Sequence, residues 1–222
     1  MSGLHRCIVM APMHNEQSNV EAFVRRLAGT AADGWELVVV DDGSSDETVD
    51  RLTECAAKVN SEQLAIRLVT LSRNFGHQRA IIAGLEVALR RAEETEIDRI
   101  AVIDADLQDR PEHLQELLDA CASVDVAYAV RASRGESLLF RITAGGFYRV
   151  LAHWARSPVP ANAGTFSVMN TRAAEAILNN VDENVFFPGL RSWIGFNQTA
   201  VPLDRDGRAD GNSRVGLKGL IR

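Results

Sequence analysis

The stretch ELVVVDDGSSDET (36–48) joins a run of three valines to two adjacent aspartates and then to Gly43, Ser44, Ser45 and Asp46. A short apolar run bounded by turn residues is the pattern of a strand buried on both faces of a parallel sheet. Gly, Ser and Asp directly after it suit a tight turn and the N-cap of a helix. Working outward, the same alternation of apolar run, polar loop and helical period recurs. Strands are expected over Cys7–Ala11, Glu36–Val40, Ile66–Leu71, Arg99–Ile103 and Val126–Val130. Helices are expected over Glu16–Ala28, Asp46–Val59, Gln78–Glu93 and Pro111–Ala122. Pro111 fits a first helical turn, where its missing N–H costs nothing. Strands alternating with helices predict an α/β protein with a mainly parallel central sheet flanked by helices.

In open parallel sheets, ligands bind at the carboxyl ends of the strands, and the acidic motifs fall there. Turn and cap roles account for Gly43, Ser45 and Asp46 but not for the pair Asp41 and Asp42. Adjacent carboxylates repel unless ribose hydroxyls, a base N–H or a metal takes them up. The segment DADLQD (104–109) follows the strand RIAVI (99–103). Alternate residues of an extended segment point the same way, so Asp104 and Asp106 can converge on one cation with Gln108 in reach. Such hard oxygen ligands suit Mg²⁺ or Mn²⁺. A helix-capping loop would explain Asp109 alone.

Composition narrows the classes. The 222 residues are 46% hydrophobic and 24% charged, enough for one substantial core. The reading is one domain over 1–202, followed by a basic tail over 203–222. A net charge of −6 speaks against nucleic acid as a partner. Cys7, Cys55 and Cys121 show no metal-ligand spacing and read as buried thiols. No run approaches the roughly 18 apolar residues of a membrane span, so any membrane role is expected to be peripheral.

The motifs APMHNE (11–16), VVDDGSSDET (39–48), LSRNFGHQ (71–78), DADLQDRPE (104–112), Arg131 and NAGTF (162–166), continued by RADGNSR (208–214), resemble the family 2 glycosyltransferases of the polyprenyl-phosphate type. These include dolichol-phosphate mannose synthases and bactoprenol glucosyltransferases. The resemblance implies a Rossmann-like GT-A fold and a nucleotide-sugar donor. It also implies a polyprenyl-phosphate acceptor, and work at the cytoplasmic face of a membrane. It makes Pro12, Glu16, Asp41, Asp42 and Arg73 the surroundings of the nucleotide sugar. Asp104, Asp106 and Gln108 become the metal and diphosphate site, with Asp104, Asp106 and Asp109 as catalytic candidates. Arg131, Arg141 and Arg208 become contacts of the acceptor phosphate, a group that arginine binds bidentately without losing charge.

The chain departs from this family where relatives carry aspartates in a DxGDFR-type segment: here stand Asn162 and Thr165, and Ser167 replaces the arginine. Two explanations are open, a subgroup with a different active-site arrangement or a nucleotide-sugar-binding protein with weak or no transfer. The first is favoured, since a phosphate nucleophile is already ionised near neutral pH and needs little general-base help. Residues 137–156 read as an amphipathic helix with Arg141, Arg149 and Arg156 in one arc. Phe186, Phe187 and Trp193 suit either core or an acceptor groove. The tail carries Arg208, Arg214, Lys218 and Arg222 against Asp210, which suits equally an anionic membrane surface, each cation contributing about 1 kcal/mol, or a frayed terminus. The donor is expected to be UDP-glucose first, with UDP-N-acetylhexosamines and GDP-mannose open. A homo-oligomer is compatible with all of this. A dinucleotide-dependent oxidoreductase lacks its glycine-rich loop, since APMHNE occupies that place.

Overall fold

The computed structural model describes residues 6–59, 63–131, 163–183 and 185–205. The expected helix over 137–156, with Arg141, lies outside them, as do Asn162, Arg208 and the tail from 206. In chain order the elements are β1 (Ile8–Met13), α1 (Val20–Thr30), β2 (Trp35–Asp41), α2 (Thr48–Lys58), β3 (Leu64–Thr70), α3 (His77–Thr95) and β4 (Arg99–Val102). A 3₁₀ turn (Pro111–His113) leads into α4 (Leu114–Cys121), followed by β5 (Val126–Arg131), β6 (Ala163–Asn170), α5 (Thr171–Leu178), α6 (Phe187–Trp193) and β7 (Gln198–Leu203).

The strands form one seven-stranded sheet in the order β3-β2-β1-β4-β6-β5-β7. β1 pairs parallel with β2 and β4, and β2 with β3. β6 runs antiparallel to both β4 and β5, while β5 and β7 are parallel. The expected parallel layer therefore stands, with β6 as its opposed strand. Every residue of β1 and β2 is buried, as their apolar runs require of central strands. One face packs on Phe23 and Leu27 of α1, Leu52 of α2 and Leu117 of α4. The other packs on Ile81 and Leu85 of α3, Ile177 of α5 and Phe187 of α6. Helix α3 lies so close to the sheet that a Cβ on Gly84 would come within 2.5 Å of Met10 Cγ.

Two boundaries moved for a physical reason. β1 extends through Pro12 to Met13, and α1 begins at Val20 rather than Glu16. The intervening backbone is claimed by the loop after β2: Asn15 N–H donates to Ser44 Oγ (2.9 Å) and Glu16 N–H to Thr48 Oγ1 (2.8 Å). Cys7, Cys55 and Cys121 are buried free thiols, as expected. Among the described residues no helix is long and apolar enough to cross a membrane.

Candidate active site at the strand ends

The ends of β1, β2 and β4 and the start of α3 enclose a cleft of about 420 Å³. Its lining includes Pro12, Glu16, Asp42, Asp104 and Asp106, five of the residues singled out in the sequence, brought together from three separate motifs. Met13, His14, Asn74, His77 and Ala105 complete much of the wall.

At the β2 end both carboxylates are occupied by backbone. Asp41 accepts the Ser44 N–H at 3.2 and 3.3 Å. Asp42 accepts the N–H of Phe75 at 2.7 Å and that of Gly76 at 2.9 Å, which clamps the loop 71–76 against the strand end. Gly43, at φ +66°, makes room for that loop: a Cβ there would lie 2.6 Å from the carbonyl carbon of Arg73. His14 Nδ1 donates to the Asp42 carbonyl at 2.9 Å. A second stitch joins the loops after β1 and β2, with Asn15 Oδ1 accepting from Ser45 N–H at 2.8 Å and Gln17 Oε1 from Glu47 N–H at 3.0 Å. Asn15, Ser44 and Thr48 carry this wall, and nothing in their residue type alone marked them.

The β4 end differs. Asp104 Oδ2 accepts the Thr165 hydroxyl at 3.0 Å. Its Oδ1 is buried and accepts no hydrogen bond, with His77 Nε2 3.4 Å away. Burial pushes the Asp104 carboxyl above the usual carboxylate range, against the opposing pull of His77 and Thr165. Asp106 accepts from Gln108, at 3.1 Å from its N–H and 2.7 Å from its side-chain amide. Leu107 turns the chain at φ +62°. Gln108 therefore orients Asp106 through its amide donors and does not itself line the cleft. Among the described residues no three His, Cys, Asp or Glu side chains group as a complete metal site. Two carboxylates, one with an orphaned buried oxygen, still fit Mg²⁺ or Mn²⁺, which take one or two protein carboxylates plus phosphate and water.

The remaining candidates sit elsewhere. Asp109, 3% exposed, is held by a two-pronged ion pair with Arg205 and borders a separate small cavity with Leu203 and Phe166. Arg73 is exposed and stacks on the Phe75 ring, 4.0 Å from its centroid. Arg131 closes β5, opposite Leu203. Of the three aromatics, Phe187 is buried, whereas Phe186 and Trp193 are 55% exposed beside a groove with Val185 and Leu190. Sequence reasoning missed Arg191. It is 1% exposed, its Nη1 donates to the Gly164 carbonyl at 3.0 Å, and its guanidinium lies 4.4 Å from the Tyr128 ring centroid. Burial pushes it down to about 10.

Comparison with known proteins fits this geometry. An uncharacterised glycosyltransferase of Synechocystis sp. is 35% identical over 211 residues, 93% of this chain and 63% of its own length. The undecaprenyl-phosphate 4-deoxy-4-formamido-L-arabinose transferase of Yersinia pestis is 30% identical over 218 residues, 96% of this chain and 63% of its own. The chain thus spans under two thirds of the curated relatives it matches. Among solved structures, a mannosyltransferase from Pyrobaculum calidifontis in complex with GDP-Man and Mn²⁺ superposes with a TM-score of 0.63 at 20% identity, covering 90% of this chain and 56% of that one. The expected Rossmann-like GT-A fold is therefore the observed one. The family model for glycosyl transferase family 2 matches residues 8–178, and the chain belongs to that family.

Proposed function

We propose that this chain is an inverting glycosyltransferase that moves a hexosyl group from a nucleotide sugar to a polyprenyl phosphate at the cytoplasmic face of a membrane, as a peripheral or anchored protein. UDP-glucose is the first donor to test. The observation that carries the reading is the cleft itself: Asp104 and Asp106 face Pro12, Glu16 and Asp42 across one space, and Asp104 Oδ1 is buried without a hydrogen bond. The relation to an undecaprenyl-phosphate transferase supports the lipid acceptor, and the Mn²⁺ complex of a structural neighbour supports a divalent metal.

Each residue then has a task. Asp104 and Asp106 hold the metal, with Gln108 fixing the Asp106 carboxylate. A bound Mg²⁺ or Mn²⁺ supplies charge to the donor diphosphate and so makes the nucleoside diphosphate a better leaving group. Pro12, Glu16 and the Asp42 wall surround the nucleoside, and Arg73 stands beside it on the loop that Asp42 clamps. Arg131, Arg141 and Arg208 meet the acceptor phosphate, whose oxygen attacks the anomeric carbon from the face opposite the leaving group. Asp109, tied to Arg205, keeps the loop 104–110 in place rather than touching sugar.

The test is a transfer assay with Mg²⁺ or Mn²⁺, a panel of UDP- and GDP-sugars and a short polyprenyl phosphate. Metal-dependent lipid product from one donor, abolished in Asp106→Ala, is the expected result. Donor binding without product on any acceptor would overturn it in favour of a nucleotide-sugar-binding protein, the reading that Asn162 and Thr165 motivate.

A further inference from the structure

Thr165 stands where the register of the sheet brings β6 against the catalytic end of β4. Val102 pairs with Ser167 in an antiparallel ladder, and two more residues along that register set Thr165 opposite Asp104. The Thr165 hydroxyl donates to Asp104 Oδ2 at 3.0 Å. Thr165 is 8% exposed and Ser167 fully buried, and the Ser167 hydroxyl donates to the Thr165 carbonyl at 2.9 Å. From the helical layer on that face, Arg191 donates to the carbonyl of Gly164, the residue before Thr165, at 3.0 Å. A desolvated guanidinium held by a carbonyl and by the faces of Tyr128 and Phe187 is an expensive way to fix a strand end. One Asp104 oxygen, Oδ2, is thus held by Thr165, and the other, Oδ1, accepts no hydrogen bond and lies 3.4 Å from His77 Nε2.

We propose that Thr165 is a positioning residue that presents Asp104 to a divalent cation through Oδ1 alone, with Arg191 holding the strand end that carries it. A carboxylate at position 165 would face Asp104 as a like charge; the hydroxyl instead orients it as a donor. The proposal rests on the reading of the cleft as a metal and diphosphate site. Groups that orient a metal ligand in this way are worth about 10- to 100-fold in metal affinity.

The experiment is calorimetric titration of Mn²⁺ into the intact chain, with saturating UDP and separately with GDP, alongside melting curves. Thr165→Val, close in shape but without the donor, is expected to weaken Mn²⁺ binding about 10-fold or more, with a lowered melting point because Asp104 loses its hydrogen-bond donor. Thr165→Ser restores the hydroxyl and is expected to bind within about 3-fold of wild type. Arg191→Lys is expected to weaken binding less than Thr165→Val. Wild-type binding with Thr165→Val unchanged would overturn the positioning role and leave the metal site standing. Absence of Mn²⁺ binding by wild type with either nucleotide would overturn the site and the inference together. A Thr165→Val protein whose melting point falls while its Mn²⁺ affinity holds would show a structural role only.

Discussion

Two acidic strand ends, on β2 and β4 to either side of β1, look alike in sequence and differ in what holds them. Asp41 and Asp42 at the end of β2 receive backbone N–H groups from Ser44, Phe75 and Gly76. Asp104 at the end of β4 receives one hydroxyl and keeps a buried oxygen without a hydrogen bond. A carboxylate satisfied by amides fixes loops; a buried carboxylate left partly unsatisfied is destabilising until a cation meets it. The pair after β2 builds the wall of the cleft, and the pair after β4 is the one proposed to hold the cation.

The largest effect that would break this contrast is on stability. Asp42→Asn places an amide donor against one of the two N–H groups that the carboxylate now accepts, and hydrogen bonds to charged groups contribute about 1.5–3 kcal/mol. We expect a loss of about 2 kcal/mol in urea denaturation, with unfolding at an unchanged slope. A neutral Asp42→Asn would mean that the loop 71–76 is held by something else.

A smaller effect sharpens the same distinction at the far end of β2. Glu36 is bonded by Arg91 at 2.7 and 3.0 Å and by Arg67 at 3.0 Å. Its carboxyl lies below its ordinary value of 4.5, first because of the Arg91 hydrogen bonds, with burial opposing and Arg67 adding to the fall. The folded state therefore holds the charged form more tightly than the unfolded chain does. The resulting stability is fully present above the ordinary pKa and is lost as pH falls through the lowered one. Melting temperature measured from pH 6 downward should drop less steeply in Glu36→Gln than in wild type. Parallel curves would remove Glu36 from the acid sensitivity of the fold.

Much of the parallel layer was legible because central strands bury both faces and so read as unbroken apolar runs. β1 and β2 announce themselves in this way. β6 does not: AGTFSVMN alternates small and polar residues with apolar ones, since Thr165 and Ser167 face the site layer while Phe166 and Val168 enter the opposite core. Strand order was equally silent, because insertion of β6 between β4 and β5 is a long-range pairing that no local pattern encodes. The acidic residues of the site were legible by type and place. Their partners were not, since the amides that occupy Asp42 come from 33 and 34 residues away and the hydroxyl on Asp104 from 61. Phe186 and Phe187 show the same limit, adjacent and identical in type, yet one is 55% exposed and the other buried.

The most direct measurement is Mn²⁺ affinity in the presence of UDP or GDP for Asp104→Asn and Asp42→Asn side by side. The account predicts that Asp104→Asn loses at least about 100-fold in affinity, since a charged ligand is removed from a site of two carboxylates, while Asp42→Asn stays within about 3-fold of wild type. Retained Mn²⁺ binding in Asp104→Asn, with loss in Asp42→Asn, would contradict the assignment of metal chemistry to the β4 end.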